Sequence, residues 1–356
     1  MKLPSFGKKV ISIDFGGNEI KVIEGQAAKN SISISKAFSL KLPQDVYFDG
    51  EILNKDVIAS LVKEELKKNK IRTDKVHGII NSSEIITRAV SLPKVPEKDL
   101  PSVISYQLDE MLPVDSDDYI VNSLILGYFT EDGADKVNVL LIGIPKNMVL
   151  EHLDLIKEIG LRPEILDHQG NAIAKLLNHN SLVNEFYNTS EMVVASIDIG
   201  YSNSKLTIAK EGAVLVTRVL DTGIKTIINN ISSLYDYTEE EIEEKLFDID
   251  DINEGNEEFT DYYRFLNTIR TTLDNLMDEI DMIFRYYTSR ETSNIINYMV
   301  LQGGFANIKG IENMFSNRFA IPTVKLKKLD RLKWDGDLSK YSNAIGGLIR
   351  IEGVKK

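Results

Sequence analysis

Two short stretches with nearly the same pattern constrain this chain more than anything else in it. They are Asp14-Phe15-Gly16-Gly17-Asn18-Glu19-Ile20-Lys21 and Asp198-Ile199-Gly200-Tyr201-Ser202-Asn203-Ser204-Lys205. Both read Asp, apolar, Gly, any, Asn or Ser, polar, any, Lys. Each follows an apolar run and leads into another β-prone run, which makes a strand, a tight glycine turn and a second strand, twice. Glycine in such a turn reaches positive φ and leaves room for close approach of backbone to a ligand. An aspartate at the mouth of the hairpin can hold a metal through water, and the turn N–H groups can hold phosphate oxygens. One copy alone reads equally well as an ordinary hairpin. Its recurrence at one spacing argues for an internally duplicated, two-lobed protein whose turns face each other across a phosphate-binding cleft.

The 356 residues suffice for two or three domains, each with a sizeable core. A net charge of −12 argues against general nucleic-acid binding and against a polybasic membrane anchor. No run approaches the roughly 20 apolar residues that span a bilayer, and residues 1–9 lack the apolar core of a signal peptide. The absence of cysteine excludes disulfides, thiolate catalysis and cysteine zinc sites. Four histidines (His77, His152, His168, His179) show no paired metal spacing, so a metal would be held by oxygen. These features fit a cytoplasmic protein.

In chain order, residues 10–42 read as three strands. Asn54 caps a helix over about 57–69, rich in Lys at its end. A buried strand follows at 76–80. Residues 81–160 depart from simple duplication. A strand at 84–90 precedes Ser91-Leu92-Pro93-Lys94-Val95-Pro96, held extended by two prolines. A helix over 97–111 tolerates Pro101 in its first turn and stops at Pro113. Strands at 119–127 and 136–144 flank an acidic turn, and a helix over 147–159 stops at Gly160. This βαββα unit carries no catalytic cluster and reads as an interaction module. A strand ending at Asp167 leads to a helix over 170–178.

The second hairpin opens the second lobe. A strand at 214–220 and a helix beyond Gly223 follow, then an acidic helix with a capping pattern at Thr238. An acidic loop at 248–258 precedes a long helical pattern over 259–290. A strand at 297–301 runs into Gly303-Gly304, where a flat ring could lie on bare backbone, although paired glycines equally make a plain turn. A strand at 323–326 precedes a last helix at 342–351, where Ala344, Gly346 and Gly347 permit close packing.

The two hairpins, the glycine pair behind a strand and the closing helix resemble the actin-type ATPase superfamily over nearly the whole chain. Within it, the chain resembles the PilM family of type IV pilus assembly proteins. The resemblance rests on the opening strand pair at 10–24 and on Ser91-Leu92-Pro93-Lys94-Val95-Pro96-Glu97-Lys98-Asp99-Leu100 with Met111-Leu112-Pro113. It rests also on Tyr237-Thr238-Glu239-Glu240-Glu241-Ile242-Glu243-Glu244-Lys245, where the family's alanine is replaced, and on the close Asn343-Ala344-Ile345-Gly346-Gly347-Leu348. It implies a duplicated actin-like (ribonuclease H-type) two-lobed α/β ATPase fold, similar to that of the cell-division protein FtsA. The first lobe would comprise 1–80 and 161–190, with an inserted βαββα subdomain at 81–160. The second lobe would comprise 191–334, and a helix in 335–356 would return to the first lobe.

The resemblance further implies ATP and Mg as ligands. The implied partners are the cytoplasmic N-terminal tail of a PilN-like inner-membrane protein, gripped between insert and first lobe, and the motor ATPase of a pilus or a related secretion system. The protein would sit at the inner face of the membrane through these partners, and a homo-oligomer stays open. Residue by residue, Asp14 would face metal and γ-phosphate, Gly16, Gly17 and Asn18 would form the first phosphate turn, and Lys21 would lie near the phosphates. Asp198, Gly200, Tyr201 and Ser202 would form the second turn, with Asp14 and Asp198 holding Mg through water. Gly303, Gly304 and Asn307 would hold adenosine, and Glu243 and Lys245 would touch adenosine or ribose. Asn18 stands where the family usually has a hydroxyl residue, which keeps an acceptor and adds N–H donors. Water activation would fall to Asp167 or Gln169, with hydrolysis slow or absent, although Asp167 also reads as a helix cap.

Two readings compete. A small-molecule kinase of the same superfamily would need a base aspartate in the cleft, whereas Asp115, Asp117 and Asp118 read as a solvated loop. An FtsA-like filament protein would be expected to end in an amphipathic membrane helix, whereas this sequence ends at Val354-Lys355-Lys356, which favours tethering through a partner.

Overall fold

The computed structural model describes residues 8–112, 115–254 and 260–350. The expected helix stop at Pro113, part of the acidic loop at 248–258, Phe259 and everything from Ile351 onward lie outside these residues. The chain opens with an antiparallel meander, β1 (Val10–Phe15), β2 (Glu19–Ala28) and β3 (Ser31–Lys41). All of β1 is buried, as expected for a central strand with both faces covered. The two-residue strands β4 (Tyr47–Phe48) and β5 (Glu51–Ile52) precede α1 (Lys55–Lys68). Asn54 caps α1 by accepting from the Val57 N–H at 3.2 Å. Next, β6 (Lys75–Ile80) joins β1 in parallel.

The insert comprises β7 (Ile86–Pro93), α2 (Leu100–Met111), β8 (Tyr119–Glu131) and β9 (Ala134–Pro145), with strand order β7-β9-β8. Leu100, Ile104 and Met111 of α2 bury against Val137, Val139 and Leu141 of β9, so the insert has its own small core. The strand expected at 84–90 begins later and runs on through Leu92 to Pro93, where an edge strand tolerates a residue without an N–H. The next helix, α3 (Lys146–Glu158), follows in sequence but packs elsewhere. Its Met148, Leu155 and Ile156 bury among Ile11, Ile13 and Val62 of the first lobe.

The first lobe closes with β10 (Arg162–His168), parallel to β6, and α4 (Gln169–His179). A two-residue pair, β11 (Leu182–Val183) and β12 (Tyr187–Asn188), bridges to the second meander. That meander is β13 (Val193–Ile199), β14 (Ser204–Lys210) and β15 (Ala213–Leu220). Helices α5 (Ile224–Ser232), α6 (Glu239–Asp248) and α7 (Asp261–Arg290) follow. The capping box of α6 forms, with the Thr238 hydroxyl accepting from the Glu241 N–H and the Glu241 carboxylate accepting from the Thr238 N–H. The chain ends in β16 (Tyr298–Gln302), α8 (Ile311–Phe319), β17 (Thr323–Lys325), β18 (Leu332–Lys333) and α9 (Leu338–Gly346).

The sheet orders are β10-β6-β1-β2-β3-β18 and β15-β14-β13-β16-β17. Each is a three-stranded antiparallel meander with two further strands added in parallel beside its first strand. The duplication read from one motif is thus a duplication of the whole sheet. Strand β18 pairs with β3, so the chain rejoins the first lobe slightly earlier than the expected residue 335. Helix α9 also starts earlier than the expected 342, because Asp337 caps it by accepting from the Lys340 N–H at 3.0 Å. It lies on the first lobe at bare backbone: a Cβ on Gly346 would sit 2.1 Å from the Ala172 carbonyl oxygen. Among the described residues no helix is long and apolar enough to cross a membrane.

Candidate functional site

Strand register builds the site. Asp14 pairs across β1–β2 with Lys21, and Asp198 pairs across β13–β14 with Lys205. The repeated glycine is a steric requirement of the turn itself. A Cβ on Gly16 would lie 2.7 Å from the Glu19 carbonyl oxygen, and one on Gly200 would lie 2.6 Å from that of Asn203. Both turns line one cleft between the lobes, joined by Gln169 at the start of α4 and by Gly304 and Phe305 in the turn after β16. The turns nearly touch: a Cβ on Gly17 would come within 3.2 Å of Ser202 Oγ.

Asp14 is fully buried at the end of β1. Its Oδ1 accepts from Gln169 Nε2 at 2.6 Å, and Lys21 Nζ stands 3.8 Å from Oδ2. Oδ2 itself has no hydrogen-bond partner, and neither does Gln169 Oε1. Burial pushes the Asp14 carboxyl above the usual carboxylate range, while Lys21 and the Gln169 hydrogen bond pull the other way. Burial opposes the charge on Lys21, but attraction to Asp14 and Asp198 prevails and raises its pKa. In the second lobe, Asp198 Oδ2 accepts from Asn343 Nδ2 at 2.7 Å. Gly303, at φ +91, passes so close behind Asp198 that a Cβ would lie 2.5 Å from Oδ1.

The cleft therefore brings together Gly16, Gly17, Asn18, Lys21, Gln169, Asp198, Gly200, Tyr201, Ser202 and Gly304, with Asp14 just behind. Other expected residues stand elsewhere. Asp167 is paired with Lys175 at 2.6 Å and accepts from Asn171 Nδ2 and the His168 N–H. Burial would raise its pKa, but Lys175 wins and lowers it, so this side chain holds α4 onto β10 and does not line the cleft. Lys245 reaches over the Tyr237 ring, 4.8 Å from its centroid, beside a separate hollow. Glu243 is not among the lining residues either; burial raises its pKa, while Lys41 draws it down. Asn307 is spent on the turn itself, donating to Gly304 O and Asp337 and accepting from Lys325.

Several residues of the site were not among those expected, Lys205, Tyr47, Phe305 and Asn343 among them. Lys205 had a signal, the repeated final Lys of the motif. Tyr47 and Phe305 also line the cleft, and Asn343 holds Asp198, but nothing in their local sequence marks them. Among the described residues no group of three or more Asp, Glu or His side chains makes a ready metal cage. A divalent ion beside Asp14 or Asp198 would take its remaining ligands from water and phosphate oxygens, as Mg²⁺ commonly does. The residues present fit a hydrated ion together with phosphate: a buried carboxylate oxygen and a buried amide oxygen are unpartnered on the cation's side, and Lys21 and Lys205 run beside them to meet phosphate charge.

Comparison with known proteins gives two findings. The family model for type IV pilus assembly protein PilM matches residues 12–342. The fold is similar to that in a solved PilM–PilN type IV pilus biogenesis complex, with a TM-score of 0.78, 16% identity and coverage of 95% of this chain and 97% of that one. It is also similar to MreB5 of Spiroplasma citri bound to AMPPNP (TM-score 0.57, 13% identity, 95% and 94% covered). EutJ, an ethanolamine utilization protein from Carboxydothermus hydrogenoformans, is a third such structure (TM-score 0.55, 12% identity, 97% and 91% covered). At these identities the likeness is one of fold: an actin-like, two-lobed α/β ATPase fold.

Proposed function

The chain belongs to the PilM family of type IV pilus assembly proteins, and from that premise we propose that it is an ATP-binding scaffold of pilus assembly. In this reading Mg-ATP lies between the lobes with its phosphates between the two turns. The nucleotide-bound form grips the cytoplasmic N-terminal tail of a PilN-like inner-membrane protein and links it to the motor ATPase. The observation that carries the reading is the convergence of Lys21, Gln169, Asp198 and Lys205 on one cleft, with Asp14 just behind it and the Asp14 Oδ2 and Gln169 Oε1 acceptors unspent. The molecules named with similar folds, PilN and AMPPNP, support it.

Bound Mg-ATP supplies a polyanion and a divalent cation whose water shell Asp14 and Asp198 can accept from. Lys21 and Lys205 would offset phosphate charge, and the turn N–H groups at Gly17 and Ser202 would orient the oxygens. Gln169 would orient a water near the terminal phosphate, whereas Asp167 is held by Lys175. The insert is positioned to sense lobe closure: Leu140 of β9 packs with Ala174 of α4 and with Ala209 and Val214 of the second lobe.

Calorimetric titration with Mg-ATP, with and without a PilN-type N-terminal peptide, tests the reading. The expected result is nucleotide binding, tighter peptide binding with nucleotide present, and the same factor for nucleotide with peptide present. Asp14→Asn and Lys205→Met should each weaken nucleotide at least about tenfold, the loss of one charge-assisted contact. Absence of nucleotide binding in the folded wild type would overturn the reading. Nucleotide binding without peptide binding would leave a kinase or filament role to test.

A further inference from the structure

A second cleft lies behind the first, between the start of the insert, the end of β10 and the middle of β15. It holds about 500 Å³, a volume typical of small-molecule sites. Its charge is anomalous for this chain. The sequence carries 54 acidic residues against 42 basic ones, yet the lining contains Arg88 and Arg218 and not one carboxylate. Neither arginine has an ion-pair partner among the described residues. Arg88 makes no hydrogen bond there, and Arg218 donates only to the carbonyl of its neighbour Thr217. In a protein of net charge −12, two unpaired arginines facing one hollow mark a place kept for an anion.

His168 is 5% exposed and lines this cleft, and its Nε2 has no hydrogen-bond partner. A buried ring nitrogen left unpaired is costly unless something outside the chain meets it. The hydroxyls of Ser82 and Thr87 belong to the same lining, beside the side chain of Asn81, whereas the Ser83 hydroxyl donates to Asp49. One guanidinium fork from the insert and one from the second lobe, with an imidazole and two hydroxyls, suit an acceptor with oxygens pointing several ways. A planar carboxylate is satisfied by one fork; a tetrahedral phosphate takes donors from all sides.

We propose that this second cleft binds the phosphate group of a small phosphorylated molecule, held by Arg88, Arg218 and His168. The cavity leaves room for the organic part of a phosphomonoester. The site is separate from the first cleft but shares a wall with it. Asn81 lines both, and His168 and Gln169, adjacent in sequence, look one into each.

Titration of the full chain with inorganic phosphate at low ionic strength, followed by ³¹P NMR and calorimetry, tests this without nucleotide. A single saturable site is expected in the millimolar range or tighter, with glycerol 3-phosphate binding more tightly and acetate not saturating. Arg88→Gln and Arg218→Gln should each weaken phosphate at least about tenfold. Both side chains are exposed, so the variants should melt like the wild type. Three results would overturn the proposal: no saturation at millimolar phosphate, equal binding of acetate, or binding that survives both arginine changes. If Lys205→Met abolishes phosphate binding while the arginine variants keep it, the phosphate sits in the first cleft and the proposal fails.

Discussion

Adding one methyl group at Gly303 should damage the fold, whereas adding one at Gly304 should not. Gly303 lies at φ +91 and ψ 167, a region that essentially only glycine occupies. Forcing alanine there costs about 1–3 kcal/mol in backbone strain. The new Cβ would also lie 2.5 Å from both the Asp198 carboxylate and the Ile199 carbonyl oxygen. The second is backbone in the middle of the site and cannot swing away, so overpacking adds about 1–3 kcal/mol. The total of roughly 2–6 kcal/mol is a large part of the 5–15 kcal/mol that holds a typical domain together. A Cβ on Gly304 meets nothing within 4 Å, and its stability effect should stay within about 0.5 kcal/mol of zero. Urea unfolding separates the two. With a slope of about 3 kcal/mol per molar, a 3 kcal/mol loss lowers the midpoint by about 1 M. Circular dichroism follows the whole fold, while Trp334, edge-on to Tyr341 in α9, reports on the junction of the lobes. Because Gly304 lines the first cleft, Gly304→Ala should weaken nucleotide while keeping the midpoint. A Gly303→Ala midpoint equal to wild type would refute the steric reasoning, and with it the claim that Asp198 is wedged in place from behind.

Other consequences concern groups away from the turns. His152 is buried, with Nδ1 donating to Met148 O at 2.8 Å and Nε2 accepting from the Tyr47 hydroxyl at 3.0 Å. Burial drops its pKa from 6.5 to about 4. The unfolded ring therefore takes a proton near pH 6.5 that the folded ring refuses until about pH 4. Its contribution to stability is complete above pH 6.5 and falls as the pH drops through that window, by about 3 kcal/mol at most. Denaturant midpoints from pH 7 to pH 4 should show this slope, and His152→Leu should flatten its share; an unchanged slope would count against the burial argument. Lys175 is 6% exposed and neutralises Asp167. Lys175→Met strands a buried carboxylate and should cost about 3–5 kcal/mol, whereas Lys175→Met with Asp167→Leu should recover much of it. If Asp167→Asn leaves ATP turnover, where it is measurable, at the wild-type rate, its structural role stands; a hundredfold loss of rate at unchanged stability would restore the catalytic one.

The sheet, the hairpins and the glycine pair were legible in the sequence because each rests on a local rule. Alternation and apolar runs mark strands, and a motif repeated in the same register must place Asp14 opposite Lys21 and Asp198 opposite Lys205. What escaped depends on which way an element faces. Glu243 and Lys245 lie two apart on α6, which is more than half a turn, so both cannot face one cleft. Asp167 and Gln169 were indistinguishable as candidates until the strand–helix junction aimed one at Lys175 and the other at Asp14. Helix α3 reads as the end of the insert because it follows β9 directly, and only its buried face assigns it to the first lobe. Asn343 joins the site from 145 residues beyond the aspartate it holds, a distance that no local pattern spans.

The duplication is not symmetrical, and the two aspartates differ in how far the protein itself satisfies them. Asp198 is held: Asn343 from α9 donates to Oδ2, and Gly303 closes in behind Oδ1. Asp14 is only half satisfied, with Gln169 on Oδ1 and nothing within hydrogen-bond distance of Oδ2. A buried, unspent carboxylate oxygen is costly in the absence of a partner. Asp14 itself is fully buried, but its neighbours Phe15, Gly16, Lys21 and Gln169 line the first cleft, so a cation or water reaching Oδ2 would come from that side. Helix α9 meanwhile grips Asp198 with Asn343 and lies on α4 through Gly346, three residues later. The second-lobe aspartate is therefore fixed relative to the first-lobe helix that carries Gln169. A ligand binding at Asp14 thus acts on α4, whose first residue touches Asp14 and whose Ala174 touches the insert and the second lobe.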